Sequence, residues 1–259
     1  MNWVSKMFSS SLGKKIIMSL TGLFLCSFLI VHMIGNLQLF YSDSGLAFNK
    51  YAVFMTTNPL IKTVSYLLYA TILFHAFKGI YLAYKNQKAR PVRYAVYNGT
   101  SNSHWTSRNM GILGTVILVF IVVHMSDFWY QYKFGHIPYT RYVTDLRTGD
   151  LINIEEMPSD FVMATKMEES IDGFNKITIV KNLYQEVSQE FKEWYLVLIY
   201  LFSMFAISFH LYHGFKSAFQ SLGLNHKKYN GIIHFLGIWV FSIAIPASFA
   251  AMPLYFFFK

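Results

Sequence analysis

Five stretches of this chain, residues 16–39, 60–84, 110–132, 194–216 and 231–258, are apolar and long. Each exceeds the roughly 20 helical residues that cross a hydrocarbon core of about 30 Å. In lipid every backbone polar group must find its partner within the protein, which leaves helices and closed barrels as the only spanning structures. Apolar runs of this length read as helices. Composition agrees: 54% of residues are hydrophobic and only 14% charged, against roughly 25% charged in ordinary soluble proteins. A soluble domain would have to expose very large apolar patches, and disordered chains lack the aromatics that here reach 19%. The first run follows Lys6, Lys14 and Lys15 like a signal peptide. It is too long for one and lacks a small-residue cleavage site, so a retained helix is expected.

Charge gives an orientation. With the N-terminus inside, the inner segments carry Lys6, Lys14, Lys15, Lys78, Lys85, Lys88, Arg90, Arg93, Arg108, Lys216, Lys227 and Lys228, and no Asp or Glu. The connection between the third and fourth runs, residues 133–193, holds 11 of the 13 acids and seven bases. The positive-inside rule therefore predicts an N-in, C-out protein with five transmembrane helices and one long outer loop at 133–193. Residues 1–259 are expected to form a single all-α transmembrane domain. The net charge of +9 then suits anionic lipid or a docked soluble partner, with no need for nucleic acid. Within the outer loop, Thr148-Gly149-Asp150 and Asp172-Gly173 signal turns, and 181–193 is a polar, helix-compatible stretch. The sequon Asn98-Gly99-Thr100 falls on the inner side in this topology and reads as chance. Pro246 is expected to kink the fifth helix, which has no deep histidine and reads as packing.

His32, His75, His124 and His210 lie one in each of the first four runs. An ionisable group at membrane depth is costly and marks a functional site by default, although any one of them could be a packing histidine. Counting about 1.5 Å per residue from the span ends puts His32 and His124 in the outer half and His75 and His210 in the inner half. Antiparallel helices thus deliver two pairs at two levels. Short echoes select the same grouping. Phe28-Leu29-Ile30-Val31-His32-Met33 recurs as Phe120-Ile121-Val122-Val123-His124-Met125, and Phe74-His75 with Gly79 recurs as Phe209-His210 with Gly214. A glycine four residues after a histidine shares its helical face and leaves space for a flat macrocycle. This favours His210 over His213, which stays as the alternative.

The single cysteine, Cys26, excludes intramolecular disulfides, Cys-rich zinc sites and iron–sulfur clusters on this chain. Opposed imidazoles suit the two axial positions of haem iron, a state built for electron transfer rather than oxygen binding. With no Cys-x-x-Cys-His run, the haem would be non-covalent and b-type. A proton relay through the same histidines, as in a transporter, is the competing reading.

With these residues in view, the chain resembles the di-haem cytochrome b membrane anchor of succinate:quinone oxidoreductases, the succinate dehydrogenase and fumarate reductase superfamily. The resemblance covers essentially the whole chain. It rests on five spans, the ordered histidine set, and the runs Ile30-Val31-His32-Met33-Ile34-Gly35-Asn36, His124-Met125-Ser126-Asp127-Phe128-Trp129 and His210 through Gly223. It implies a four-helix haem-binding core plus a fifth helix, in a bacterial cytoplasmic membrane with the N-terminus cytoplasmic. His75 and His210 would bind the proximal haem b, and His32 and His124 the distal one. Partners would be a flavoprotein carrying FAD and an iron–sulfur protein on the basic inner face, with membrane quinone, by resemblance menaquinone, near the distal haem. Dicarboxylate chemistry would reside on the flavoprotein. Some relatives carry a glutamate two residues before the fourth ligand, where this chain has Ser208. Asp127, one turn beyond His124, is the candidate for quinone protons, against a plain helix-end role. Arg108, Lys78 and Lys216 read mostly as snorkelling cations. Another di-haem oxidoreductase, of the hydrogenase or formate dehydrogenase type, is the nearest alternative.

Overall fold

The computed structural model describes residues 2–89, 101 and 103–259. Arg90, Arg93 and the sequon Asn98-Gly99-Thr100 lie outside the described residues. Among the described residues, five helices are long and apolar enough to cross a membrane: Ser11–Phe40, Pro59–Lys88, Met110–Phe134, Trp194–Ser221 and Lys227–Phe258 (spans one to five). All five extend beyond their apolar runs at a polar end, as at Ser11–Lys15 and Lys85–Lys88. Long basic side chains continue a helix while carrying their charge to the interface. Large apolar side chains such as Leu67, Phe77, Val119, Phe202 and Trp239 point outward and stay more than half exposed. In water each would forgo about 1.5–3 kcal/mol of burial, so this surface is one for lipid. The chain has the pattern of a multi-pass helical membrane protein.

Two compact units partition the chain: Met1–Met33, Tyr66–Ile121 and Leu198–Ala251 form one, and Ile34–Ser65, Val122–Val197 and Met252–Lys259 the other. The first is built from span segments. Its fifth-span segment is not regular α-helix, because Leu236–Ala244 winds as π-helix before α geometry resumes at Ile245. Pro246 lies in this resumption and has no N–H to give the carbonyl four residues back, that of Ser242. Span four supplies the donor instead: the Ser208 hydroxyl donates to the Ser242 carbonyl at 2.5 Å. Serine side chains re-satisfy backbone groups that proline frees inside membranes in this way. The fifth helix is therefore tied to the fourth by a half-buried polar contact.

The second unit corrects the all-α expectation. The 133–193 connection folds into a four-stranded antiparallel sheet of order β2-β1-β4-β3, with β1 Tyr139–Asp145, β2 Leu151–Glu156, β3 Met167–Asp172 and β4 Asn175–Lys181. The expected turns are its hairpin ends. Gly149 and Gly173 take positive φ of 79° and 59°, and Gly173 opens a two-residue loop closed by the Asp172–Asn175 pair, the place where such loops want glycine. The polar stretch 181–193 is helical only over Leu183–Glu190, and Lys181 belongs to β4.

A second helix, Leu46–Thr57, packs on this sheet through Val53, against Tyr142 and Val180. Its fully buried Asn49 holds the assembly together. Asn49 Nδ2 donates to Asn182 Oδ1 at 2.8 Å and to the Tyr142 hydroxyl at 3.3 Å, while its Oδ1 accepts the Tyr184 N–H at 2.9 Å. Asn182 in turn donates to Thr140 Oγ1 at 2.8 Å and caps Leu183–Glu190 by accepting the Gln185 N–H. Each buried polar atom in this network has a partner, without which it would cost about 1–3 kcal/mol. Burial pushes the Tyr142 hydroxyl up to about 12, with its bond to Asn49 opposing the rise and Asp43 and Tyr184 adding to it.

Candidate functional site

Four of the first unit's segments contribute to one cluster. His75 of span two and His210 of span four face each other, their ring centroids 6.5 Å apart and their planes at 68°. His75 Nδ1 lies 2.9 Å from Thr21 Oγ1 of span one. Thr21 has one hydroxyl proton, and its oxygen is also 2.9 Å from the Ile17 carbonyl and 3.1 Å from that of Met18, the back-bond typical of a helical threonine. With the proton spent on the backbone, the oxygen accepts from His75 Nδ1–H, and Nε2 keeps the lone pair. His210 has no equivalent partner: its Nδ1 is buried and unbonded.

Space beside these rings is kept by glycines. A Cβ on Gly22 would sit 3.4 Å from His75 Cε1, and one on Gly114 would sit 3.6 Å from His210 Cε1. The glycines noted in the sequence, Gly79 and Gly214, face methionine methyls, Met18 and Met110, each 3.8 Å from the Cβ position. These contacts expose a duplicated helical pair. Met18, Gly22, Phe28 and His32 of span one recur as Met110, Gly114, Phe120 and His124 of span three, each 92 residues on. At these two contacts span one meets span two as span three meets span four. Gly22 and Gly114 went unnoticed in the sequence, although each stands ten residues before a histidine already singled out. Thr21 had no sequence signal, since nothing local distinguishes it from any membrane threonine.

His32 also belongs to the first unit. It stacks on Phe28, with centroids 5.1 Å apart and planes at 16°, and packs at 5.4 Å against Phe249 of span five. His124 belongs to the second unit, where its ring meets Phe128 edge-on at 5.6 Å. Within the first unit the structure thus brings His75 to His210. His124 closes the α-helical part of span three, and Met125–Tyr130 continues as π-helix, a local form frequent at functional sites.

Asp127 lies in that π segment with Oδ2 buried and unbonded. Glu186 and Glu190 stand one helical turn apart on the facing helix. Burial first, then Glu190 and Asp127, raise the Glu186 carboxyl, and burial with Glu193 raises that of Glu190. Ser208, two residues before His210, donates its hydroxyl to the Ser242 carbonyl. Among the described residues no three His, Cys, Asp or Glu side chains converge as a metal cage. Comparisons with protein-family models, curated proteins and solved structures found no significant match to this chain.

Proposed function

We propose that the chain is the di-haem cytochrome b anchor of a succinate:quinone oxidoreductase, carrying electrons between a cytoplasmic iron–sulfur subunit and membrane quinone. The opposed pair His75–His210 carries the reading. Metal–imidazole bonds of about 2 Å on either side of one ion put ring centroids roughly 6 Å apart, close to the 6.5 Å observed. One further feature fits a bound macrocycle: the side-chain-free surfaces of Gly22 and Gly114 beside the rings. When bound, a bis-imidazole haem supplies one-electron transfer with no open coordination position.

The chain's own residues do the rest. His75 and His210 hold the proximal group, with Thr21 setting the tautomer that leaves His75 Nε2 available. His32 and His124 hold the distal group, each with its ring orientation limited by the aromatic neighbours Phe28, Phe249 and Phe128. The apolar spans keep water from both. Asp127 is the group proposed to hold a proton of the quinone, with Glu186 and Glu190 beside it. The basic face that includes Lys14, Lys15, Lys85 and Lys88 is cytoplasmic in this reading and docks the iron–sulfur protein, behind which a flavoprotein with FAD carries the dicarboxylate site. The setting is a bacterial cytoplasmic membrane, N-terminus inside.

The test is purification of the complex from its membrane, with haem stoichiometry and subunit composition. Two low-spin haems per chain, reduced on adding succinate, support the reading. A haem-free preparation with FAD and iron–sulfur partners absent overturns it in favour of a proton-relaying transporter.

A further inference from the structure

We infer that Thr21 is a positioning residue that makes His75 and His210 unequal ligands, which breaks an otherwise duplicated site. The inference rests on the proposed haem reading and deepens it.

The duplication makes the difference visible. Met18 with Gly79 and Gly22 with His75 have their counterparts in Met110 with Gly214 and Gly114 with His210. At the residue just before the glycine the copies part: span one has Thr21, and span three has Leu113. Leu113 is buried, 7% exposed, and offers no hydrogen-bonding atom. The consequence appears on the two rings. His75 Nδ1 has a hydroxyl oxygen at 2.9 Å, and His210 Nδ1 has nothing.

An imidazole that donates from Nδ1 is fixed in tautomer and orientation, and its Nε2 is made more basic. A more electron-donating axial ligand stabilises the oxidised iron and lowers its potential, second-shell hydrogen bonding being one of the protein's levers on haem. The Thr21 hydroxyl is suited to this because the Ile17 and Met18 carbonyls take its proton, leaving it no alternative to accepting from the ring. His75 is thus the fixed, stronger ligand and His210 the weaker. The haem they share is held asymmetrically, with the lower potential that one such hydrogen bond confers.

The experiment compares the wild-type complex with Thr21→Val and Thr21→Ser by redox titration of both haems and by haem retention under dilution. Valine keeps the shape of threonine and removes only the hydroxyl. The expected result is an upward shift in the potential of one haem, with the other unmoved, and about 10- to 100-fold weaker retention of that haem, the usual effect of losing such a partner. Serine restores both. If Thr21→Val loses the haem altogether, recovery with serine supports the assignment and no recovery with serine overturns it. Unchanged potential and retention of both haems in Thr21→Val also overturn it, while leaving the haem reading intact. A wild-type complex without haem overturns the haem reading itself.

Discussion

His75 and His210, from spans two and four, present their imidazoles to each other at 6.5 Å with planes 68° apart. Two imidazoles gain little from facing one another in an apolar interior. A ligand shared between them accounts for the arrangement. His75→Ala and His210→Ala are each expected to remove one haem per chain, the same one, with the second retained. Loss of one in the first variant and the other in the second, read by redox-resolved absorption, contradicts the pairing.

The glycines give a graded version of the same test. A single Cβ at Gly22 or Gly114 falls at 3.4 or 3.6 Å from the ring, ordinary contact distance. Gly22→Ala and Gly114→Ala are therefore expected to retain both haems, whereas Gly22→Leu and Gly114→Leu displace the ring and release one. Haem content after purification reads this directly. Equal retention in the alanine and leucine variants would show that these surfaces border no ligand.

Ser208 and Pro246 should be coupled. Ser208→Ala leaves the Ser242 carbonyl without its donor, at an expected cost of about 1–2 kcal/mol. Pro246→Ala restores a backbone N–H within reach of that carbonyl, so the second loss should shrink by at least half in the double variant. A double-mutant cycle on thermal stability in detergent measures the coupling. Strict additivity would mean that the serine serves some other purpose.

Asn49→Ala should destabilise the sheet-bearing unit by about 2–4 kcal/mol, because the Tyr184 N–H and the Asn182 side chain lose partners in a dry environment. Gly45→Ala should be comparably harmful. Its φ is 86° and a Cβ there would overlap the Tyr184 ring, so conformational strain and collision act together. Protease resistance of the 139–181 region in the intact protein reports both. Wild-type resistance in either variant would contradict the role given to that residue.

How much of this was legible beforehand follows from how local each signal was. Five spans and four histidines are carried by hydropathy and by residue type at membrane depth, so the sequence alone places them. The ends of the sheet hairpins were visible as Gly149 and Gly173, because only a backbone with positive φ demands glycine there. The strands between them were not, since the buried residues of β1 and β4, Thr140, Tyr142, Thr178 and Val180, gain meaning only once the Leu46–Thr57 helix covers them. Asn49 carries no local signal, as its partners Tyr142 and Asn182 lie 93 and 133 residues away. Thr21 was invisible for the same reason: its role depends on a ring 54 residues downstream.

The sheet should also respond to pH. Hydrogen bonds from Lys50 and then Lys176 hold the Glu169 carboxyl down at about 2, linking Leu46–Thr57 and β4 to β3. The unfolded carboxyl titrates near 4.5, so its contribution is complete above that pH and is lost as pH falls from 4.5 toward 2. Partial exposure screens the pair, which limits the effect to below about 1 kcal/mol. Lys166 gives a slope of the same sign in the alkaline range. Burial and then Lys181 lower it to about 8, so the unit gains stability as pH rises from 8 toward the unfolded value of 10.5. Amide exchange in β3 and β4 against pH should show both slopes, and Glu169→Gln should flatten the acidic one. An acidic slope identical in that variant would assign it to another group.

The central claim is that paired intramembrane histidines hold two haems, and the most direct measurement is haem per polypeptide in the purified wild-type complex. The account predicts two low-spin, bis-imidazole haems per chain, both reduced by succinate when the flavoprotein and iron–sulfur partners are present. A colourless, folded chain with its five helices intact would contradict it.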